Sequence, residues 1–306
     1  MATTTKTNNL FTPQQTGELF DKVKGHSTIA KLSGSTPIPF AGTETMVFTM
    51  DGEASIVGEA GKKPAGDAAF SKVTITPVKV VYQHRLTDEF VNMAEQARLP
   101  YYSAFLDGFA KKIARAIDIM AFHGKNPATK EASTIIGNNH FDAKITNKVE
   151  ATDDPAADLQ GAIDEIVNND REVSGIAMSP TFASDMGKLK QGSDSYVNLY
   201  PEFAFGGRPS SFNGMSVDVN KTVAFGASST NGDTNAVAYV GDFQNSLKWG
   251  YAENIPMEII QYGNPDGQGD LKESNEIVLR AEAYIGWGVI DPDAFTRIVK
   301  TVSAAA

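Results

Sequence analysis

Apolar residues recur at spacings of four and three from Tyr102 through Leu106, Phe109, Ile113 and Ala116 to Met120. That rhythm lays a single apolar stripe along an α-helix of about 20 residues, roughly 30 Å long. Pro100 suits the first turn and Gly124 the end, which predicts a helix over 99–123. On another face Asp107, Lys111 and Arg115 stand four apart and can pair weakly along a solvated surface. Ala156, Leu159, Ile163 and Ile166 mark a second amphipathic helix. Ser179 and Pro180 form an N-cap and first turn for a third, which carries Phe182, Met186 and Leu189. Leu19, Phe20 and Val23 predict a short helix over 18–24.

Strand patterns lie between and after these helices. Met46 to Met50 has strand composition, and Val73 to Thr76 alternates apolar with polar. The segment between them, GEASIVGEAGKKPAGDAAFSK, is too polar to make a core and predicts a long hairpin with Lys62, Lys63 and Pro64 near its tip. Loops this long are usually functional or disordered. Further strands are predicted at 175–178, 215–219, 236–240 and 257–262. A long run, NEIVLRAEAYIGWGVI, leads to DPDAF, where Asp291 can cap a last helical turn begun by Pro292. The first forty residues read as an arm, polar at the start and broken by Gly34, Pro37, Pro39 and Gly42. Such an arm is either a solvated terminus or a grip on a neighbouring subunit. The class is α+β, and elements far apart in sequence must meet, because the last strands have no helix of their own.

Composition narrows the chemistry. The 306 residues carry 27 Lys and Arg against 37 Asp and Glu, a net charge of −10. At 41% hydrophobic the chain can bury a sizeable core. It has no cysteine, which excludes disulfides, thiolate metal sites and cysteine nucleophiles. The four histidines, His26, His84, His123 and His140, never fall in a metal-ligand spacing. The opening MATTTKTNNLFTPQQ is not a signal peptide, and no stretch approaches the roughly 18 apolar residues of a membrane span. The acidic balance disfavours tight binding to a phosphate backbone.

Catalytic motifs fail one by one. GEAGKK lacks the spacing and the hydroxyl of a P-loop, and neither HExxH nor GxSxG occurs. Gly286-Trp287-Gly288 has no third glycine or following helix, so it reads as two glycines flanking a buried tryptophan. GNPDGQGD, with Asp266 and Asp270, lacks the order of a calcium loop and reads as an acidic turn. Tyr196, Tyr200, Phe203, Phe205 and Phe212 crowd the long central loop, where they suit loop packing or contact with a neighbouring subunit better than a stacking platform. No cofactor and no metal are expected.

The order of segments resembles the tailed-phage major capsid protein family, the Hong Kong 97 fold. IVGEAGKKPAGDAAFSKVTITPVKVV resembles the family's extended loop. HRLTDEFVNMAE leading into YYSAFLDGFAKKIARAIDIMAFHG resembles its spine helix, and IAMSPTFASDMGKLKQGSDSYV its middle-domain helix and loop. AYVGDFQNSLKWGYAENIPMEI and NEIVLRAEAYIGWGVIDPDAF resemble its closing strands. The likeness spans about residues 10–300 and lies in order and spacing rather than in one motif.

The resemblance implies an arm over 1–42, an extended loop over 43–80, a peripheral domain from 81–155 and 256–282, and an axial domain from 156–255 and 283–306. It implies hexamers and pentamers that close an icosahedral shell around double-stranded DNA without sequence-specific binding. The protein would act in the virion after assembly in the host bacterial cytoplasm, with portal and possible separate scaffolding or decoration proteins as partners and no membrane. Because the arm-like sequence begins almost at Met1, any scaffold is expected to be a separate protein. In some members a loop lysine and an asparagine form a bond between subunits, aided by a glutamate; the matching positions are Lys63, Asn275 and Glu282. In a straight strand Asn275 and Glu282 would face opposite ways; Glu282 could equally pair with Arg280. Glu59, Lys62, Lys63, Phe70, Tyr196, Tyr200, Phe203 and Phe205 are the expected inter-subunit contacts. Two alternatives stay open: an encapsulin-type bacterial shell, and a soluble α+β binding or hydrolytic protein.

Overall fold

The computed structural model describes residues 26–51, 54–87, 89, 95–192, 195–225, 234–252 and 257–301. The helix expected over 18–24 lies outside them. The described part of the arm is not free. A short helix α1 (Thr28–Leu32) buries Ile29, Ala30 and Leu32. Beyond it the breaker-rich segment runs extended along the sheet as a strap, with the Thr36 and Ile38 amides donating to the carbonyls of Trp249 and Tyr251. Its prolines and glycines prevent helix but not extended backbone, and Ile38 supplies the anchor.

Strands β1 (Thr43–Asp51) and β2 (Asp67–Ile75) form the predicted hairpin, antiparallel from Thr43 opposite Ile75 to Asp51 opposite Asp67. The chain then enters β3 (Val78–Thr87) directly, so the boundary expected at residue 80 falls inside a strand. Strand β3 pairs antiparallel with β11 (Glu276–Val289), from Ile285 opposite Val78 to Glu276 opposite Thr87. On its other side β11 is met first by β10 (Met257–Ile260), while β9 (Leu247–Tyr251) pairs with its second half and sets Trp249 opposite Trp287. The division expected at 282 and 283 therefore also falls inside one unbroken strand. Side chains that alternate between two buried faces give no local reason to end it.

The described part of the long helix α2 (Glu95–His123) includes the predicted start at 99 and takes Pro100 into its body. Past the first turn a proline removes the hydrogen bond to the carbonyl four residues earlier and crowds that carbonyl, and α2 carries Pro100 at that cost. Phe109, Ile113, Ala116 and Met120 are buried as the stripe requires; the side chains of Tyr102 and Leu106 lie outside the described residues.

This helix packs with Ala281, Ala283, Ile285 and Trp287 of β11 and with Tyr239, Phe243 and Phe295 in one core. The short helix α3 (Phe141–Lys144) inserts Phe141 into the same core, edge-on to Phe122, 5.2 Å between centroids.

A six-stranded sheet forms the other half of the molecule. Its order is β4 (Lys148–Glu150), β12 (Phe295–Thr301), β8 (Thr234–Gly241), β5 (Gly175–Met178), β7 (Met215–Val219) and β6 (Ser211–Phe212). The two-residue period sends Ala177 and Tyr239 toward the α2 core and Ile176, Met178, Ala238 and Val240 to the opposite face. Helices α4 (Pro155–Val167) and α5 (Pro180–Lys188) cover that face with Leu159, Ala162, Ile166, Phe182 and Met186. Helix α5 starts at the predicted Ser179-Pro180 pair, and α4 starts at Pro155 behind a cap from Asp154 that the apolar spacing did not reveal. Asp154 accepts from the Ala156 and Ala157 amides at 3.1 and 3.2 Å, and Ser179 Oγ from the Phe182 amide at 3.3 Å. Asp291 accepts from the Asp293 amide and caps the 3₁₀ turn Pro292–Ala294.

Candidate inter-subunit surfaces

One face of the hairpin carries Met46, Phe48 and Met50 from β1 and Phe70 from β2, all exposed. Phe48 and Phe70 stand opposite each other with ring centroids 4.8 Å apart. A two-stranded ribbon is marginal in water, and this one turns a stripe of large apolar groups outward. Residues 54–66 at the tip, with Ile56, Glu59, Lys62 and Lys63 among them, are exposed throughout.

The hairpin's root is fixed in the core. Ile75 is fully buried against Gly286 and Gly288. A Cβ at Gly288 would lie 2.8 Å from Ile75 Cγ1, and one at Gly286 3.0 Å from Ile38 Cδ1. The Gly-Trp-Gly motif is thus a socket. Trp287 points into the α2 core and donates to the Asn139 carbonyl at 2.8 Å, while the bare backbone on either side seats the hairpin root and the strap.

Two of the three expected cross-link residues, Asn275 and Glu282, lie apart along the chain. Lys63 is exposed in the tip. Asn275 is exposed in the turn before β11 at φ +51°, so it belongs to the turn, and the strand-alternation argument does not apply to it. Glu282 lies seven residues further along, roughly 23 Å at strand rise. It is held by Lys79 of β3 at 2.8 Å rather than by Arg280, which donates to Gln83 Oε1 instead. The hydrogen bond to Glu282 raises the Lys79 amine above its ordinary value.

The GNPDGQGD turn has a structural owner. Arg85 of β3 donates to both carboxylate oxygens of Asp266, to Glu276 and to the Gly269 carbonyl, all between 2.5 and 2.8 Å. The Arg85 hydrogen bonds hold Asp266 down at about 2. Nothing in the sequence spacing links residue 85 to residue 266; the β3–β11 register does.

The central aromatics separate by depth. Phe203 is 1% exposed, packed edge-on to Phe212 with centroids 5.4 Å apart, and is a core residue rather than a contact. It is buried because the 3₁₀ segment Pro201–Gly206 lies on α5, where a Cβ at Gly187 would meet its carbonyl oxygen at 2.5 Å. Tyr200 is half-buried against Phe212, and Tyr196 and Phe205 are exposed.

Two buried polar joints were not foreseen. Asp118 of α2 is fully buried and accepts from Ser27 Oγ at 2.6 Å, the Thr28 and Ile29 amides at 3.0 and 3.2 Å, and Thr222 Oγ1 at 2.8 Å. Burial pushes its carboxyl up to about 6, against the pull of these donors. The root of α1 is also fastened to Asp218 of β7, through Thr28 Oγ1 at 2.7 Å and Lys31 Nζ at 2.6 Å. In the second joint Asp142 faces His123 Nδ1 at 2.7 Å and accepts from Tyr239 OH at 2.6 Å. Burial raises the Asp142 carboxyl, but these partners outweigh it and hold it low. The available sequence signal was the lone carboxylate in the apolar run Ile117-Asp118-Ile119-Met120.

Among the described residues no group of acidic or histidine side chains could hold a metal, and no helix is long and apolar enough to cross a membrane. A match to the phage capsid family covers residues 8–300. The chain belongs to the phage capsid family. Solved structures agree. A chain from Mycobacterium phage Ogopogo is 30% identical, with a TM-score of 0.76 over 90% of this chain and 92% of that one. One from Gordonia phage Cozz is 24% identical, with a TM-score of 0.73 over 91% and 87%. The capsid of a native GTA particle shares the fold at 12% identity, with a TM-score of 0.59 over 90% of each chain. A search of curated proteins finds no match. This is a phage major capsid protein with the Hong Kong 97-type fold.

Proposed function

We infer that copies of this capsid protein gather as hexamers and pentamers and close an icosahedral shell around double-stranded DNA. The observation that carries this, beyond the family itself, is the outward apolar stripe Met46, Phe48, Met50 and Phe70 on a hairpin whose root is locked in the core. A rigidly rooted, apolar projection gains its stability from a neighbour. Glu59, Lys62, Lys63 and Phe70 then lie across an adjacent subunit. The six-stranded sheet with α4 and α5 forms the axial unit, and β3, β9, β10 and β11 with α2 the peripheral one. Portal, scaffolding and decoration proteins are the partners this role calls for, in the host cytoplasm and the virion. Purified protein viewed by negative stain should show closed shells; a persistent monomer or small oligomer overturns the reading.

The cross-link is part of the same proposal. The Lys63 amine of one copy attacks the Asn275 side-chain amide carbon of a second; an isopeptide bond forms and ammonia leaves. Glu282 of a third copy takes one proton from the ammonium so that the neutral amine can attack, and later releases it to solvent. The second proton lost by the attacking nitrogen passes to the departing nitrogen, which leaves as ammonia. The distance between Asn275 and Glu282 along one chain supports the use of different copies. Lys79 competes for Glu282, so its pair must open first. Boiled, denatured mature particles should give a ladder that collapses to one band in Lys63→Arg particles. A single wild-type band at the monomer mass sinks the idea.

A further inference from the structure

Phe205 is 105% exposed and sits at φ +54°. The left-handed region disfavours a residue with a Cβ, and a bulky aromatic there is an outlier. Both properties count against the lone subunit: backbone strain and a solvated ring. The segment is nevertheless firmly held. Phe203, two residues earlier, is locked between Gly187 and Phe212, and the Gly207 amide closes the turn on the Ala204 carbonyl at 3.0 Å. The ring is therefore presented rather than merely left outside, and persistent strain of this kind is a mark of functional positions.

The flanking charges say what it meets. Glu202 stands three residues before Phe205 and Arg208 three after; both are exposed, and neither has a partner among the described residues. Nearby on the same excursion, Tyr196, Val197 and Leu199 are also exposed. A segment with an acid at one end, a base at the other and an aromatic between them is complementary to another copy of itself, placed head to tail. Head-to-tail contacts generate rings when the rotation closes. Resting on the shell-forming reading above, we propose that Phe205 is the anchor of such a ring contact. It packs on Tyr196, Val197 and Leu199 of the next copy, with Glu202 of one copy meeting Arg208 of the other. Rigid presentation lowers the ordering cost of the contact, and a central aromatic with a charged rim is the usual form of an energetic hot spot.

Opposite signs make the proposal testable. Phe205→Gly relieves the left-handed strain, so the unassembled subunit should melt at a temperature equal to or above wild type, while the yield of shells falls at least about tenfold. Glu202→Arg and Arg208→Glu should each reduce assembly, and the double exchange should restore it. Shells formed at wild-type yield by Phe205→Gly, or a double exchange no better than the single ones, overturn the contact. Absence of shells from wild-type protein would instead overturn the shell-forming reading, so the two failures are distinguishable.

Discussion

Two carboxylates titrate in opposite senses, and each fixes a different joint. Asp266, held down at about 2 by Arg85, contributes stability that is present above the ordinary carboxyl value of 3.8 and lost as pH falls through about 2. Asp118, raised from 3.8 to about 6 by burial, does the reverse. Its contribution is complete below about pH 4 and disappears as pH rises through about 6. Asn at position 118 does not titrate. The stability of wild type relative to Asp118→Asn should therefore decline between pH 4 and pH 7 in denaturant unfolding of the unassembled subunit. A flat difference across that range would show that the burial of Asp118 does not control its ionisation. Neither joint could be located from the sequence. No motif marks Asp118 in its apolar run, and its partners Ser27 and Thr222 lie 91 and 104 residues away, so that only the fold brings them together.

Elements with internal periodicity were legible. The α2 stripe, the apolar spacing of α4, the capped start of α5 and the whole of β11 follow from patterns within each segment. What escaped was structure imposed from outside. Strand β3 alternates Val78, Val80, Tyr82, His84 and Leu86, but the polar His84 hides the period and the partner is some two hundred residues away. Helix α1, at five residues, is too short to show a period and exists because Ser27 caps it and Asp118 receives its first amides. Gly-Trp-Gly was recognised as glycines around a buried ring, and the structure adds the reason for the glycines. Gly288→Ala forces Ile75 aside and should cost about 1–3 kcal/mol in chemical denaturation. In an ordinary strand position the same change should instead stabilise by roughly 0.5–1 kcal/mol, so a gain would refute the socket.

At the scale of the molecule, the described residues divide into a well-covered body and a projection that the subunit alone does not cover. That division predicts a difference in hydrogen exchange. Amides of 43–51 and 67–75 should exchange much faster in the free subunit than those of β5 or β8, and should gain at least about tenfold protection on assembly. Equal protection in both states would mean that neighbours do not complete the hairpin. The net charge of −10 bears on the same scale. Self-repulsion among identical acidic subunits is screened by salt, so shells should form more readily as ionic strength rises.

Strand β11 also has a mechanical consequence. It runs from the turn held by Arg85 to the Asp291 cap, with β3 beside its first ten residues and β9 beside its last five. A pull along that axis loads the cross-strand hydrogen bonds in shear, so they resist together instead of opening one after another like a zipper. The hairpin socket at Gly286 and Gly288 lies on this same strand. Tension applied through the hairpin by a neighbour therefore enters the subunit at a stiff member, and a container built this way should yield at its joints before its subunits unravel.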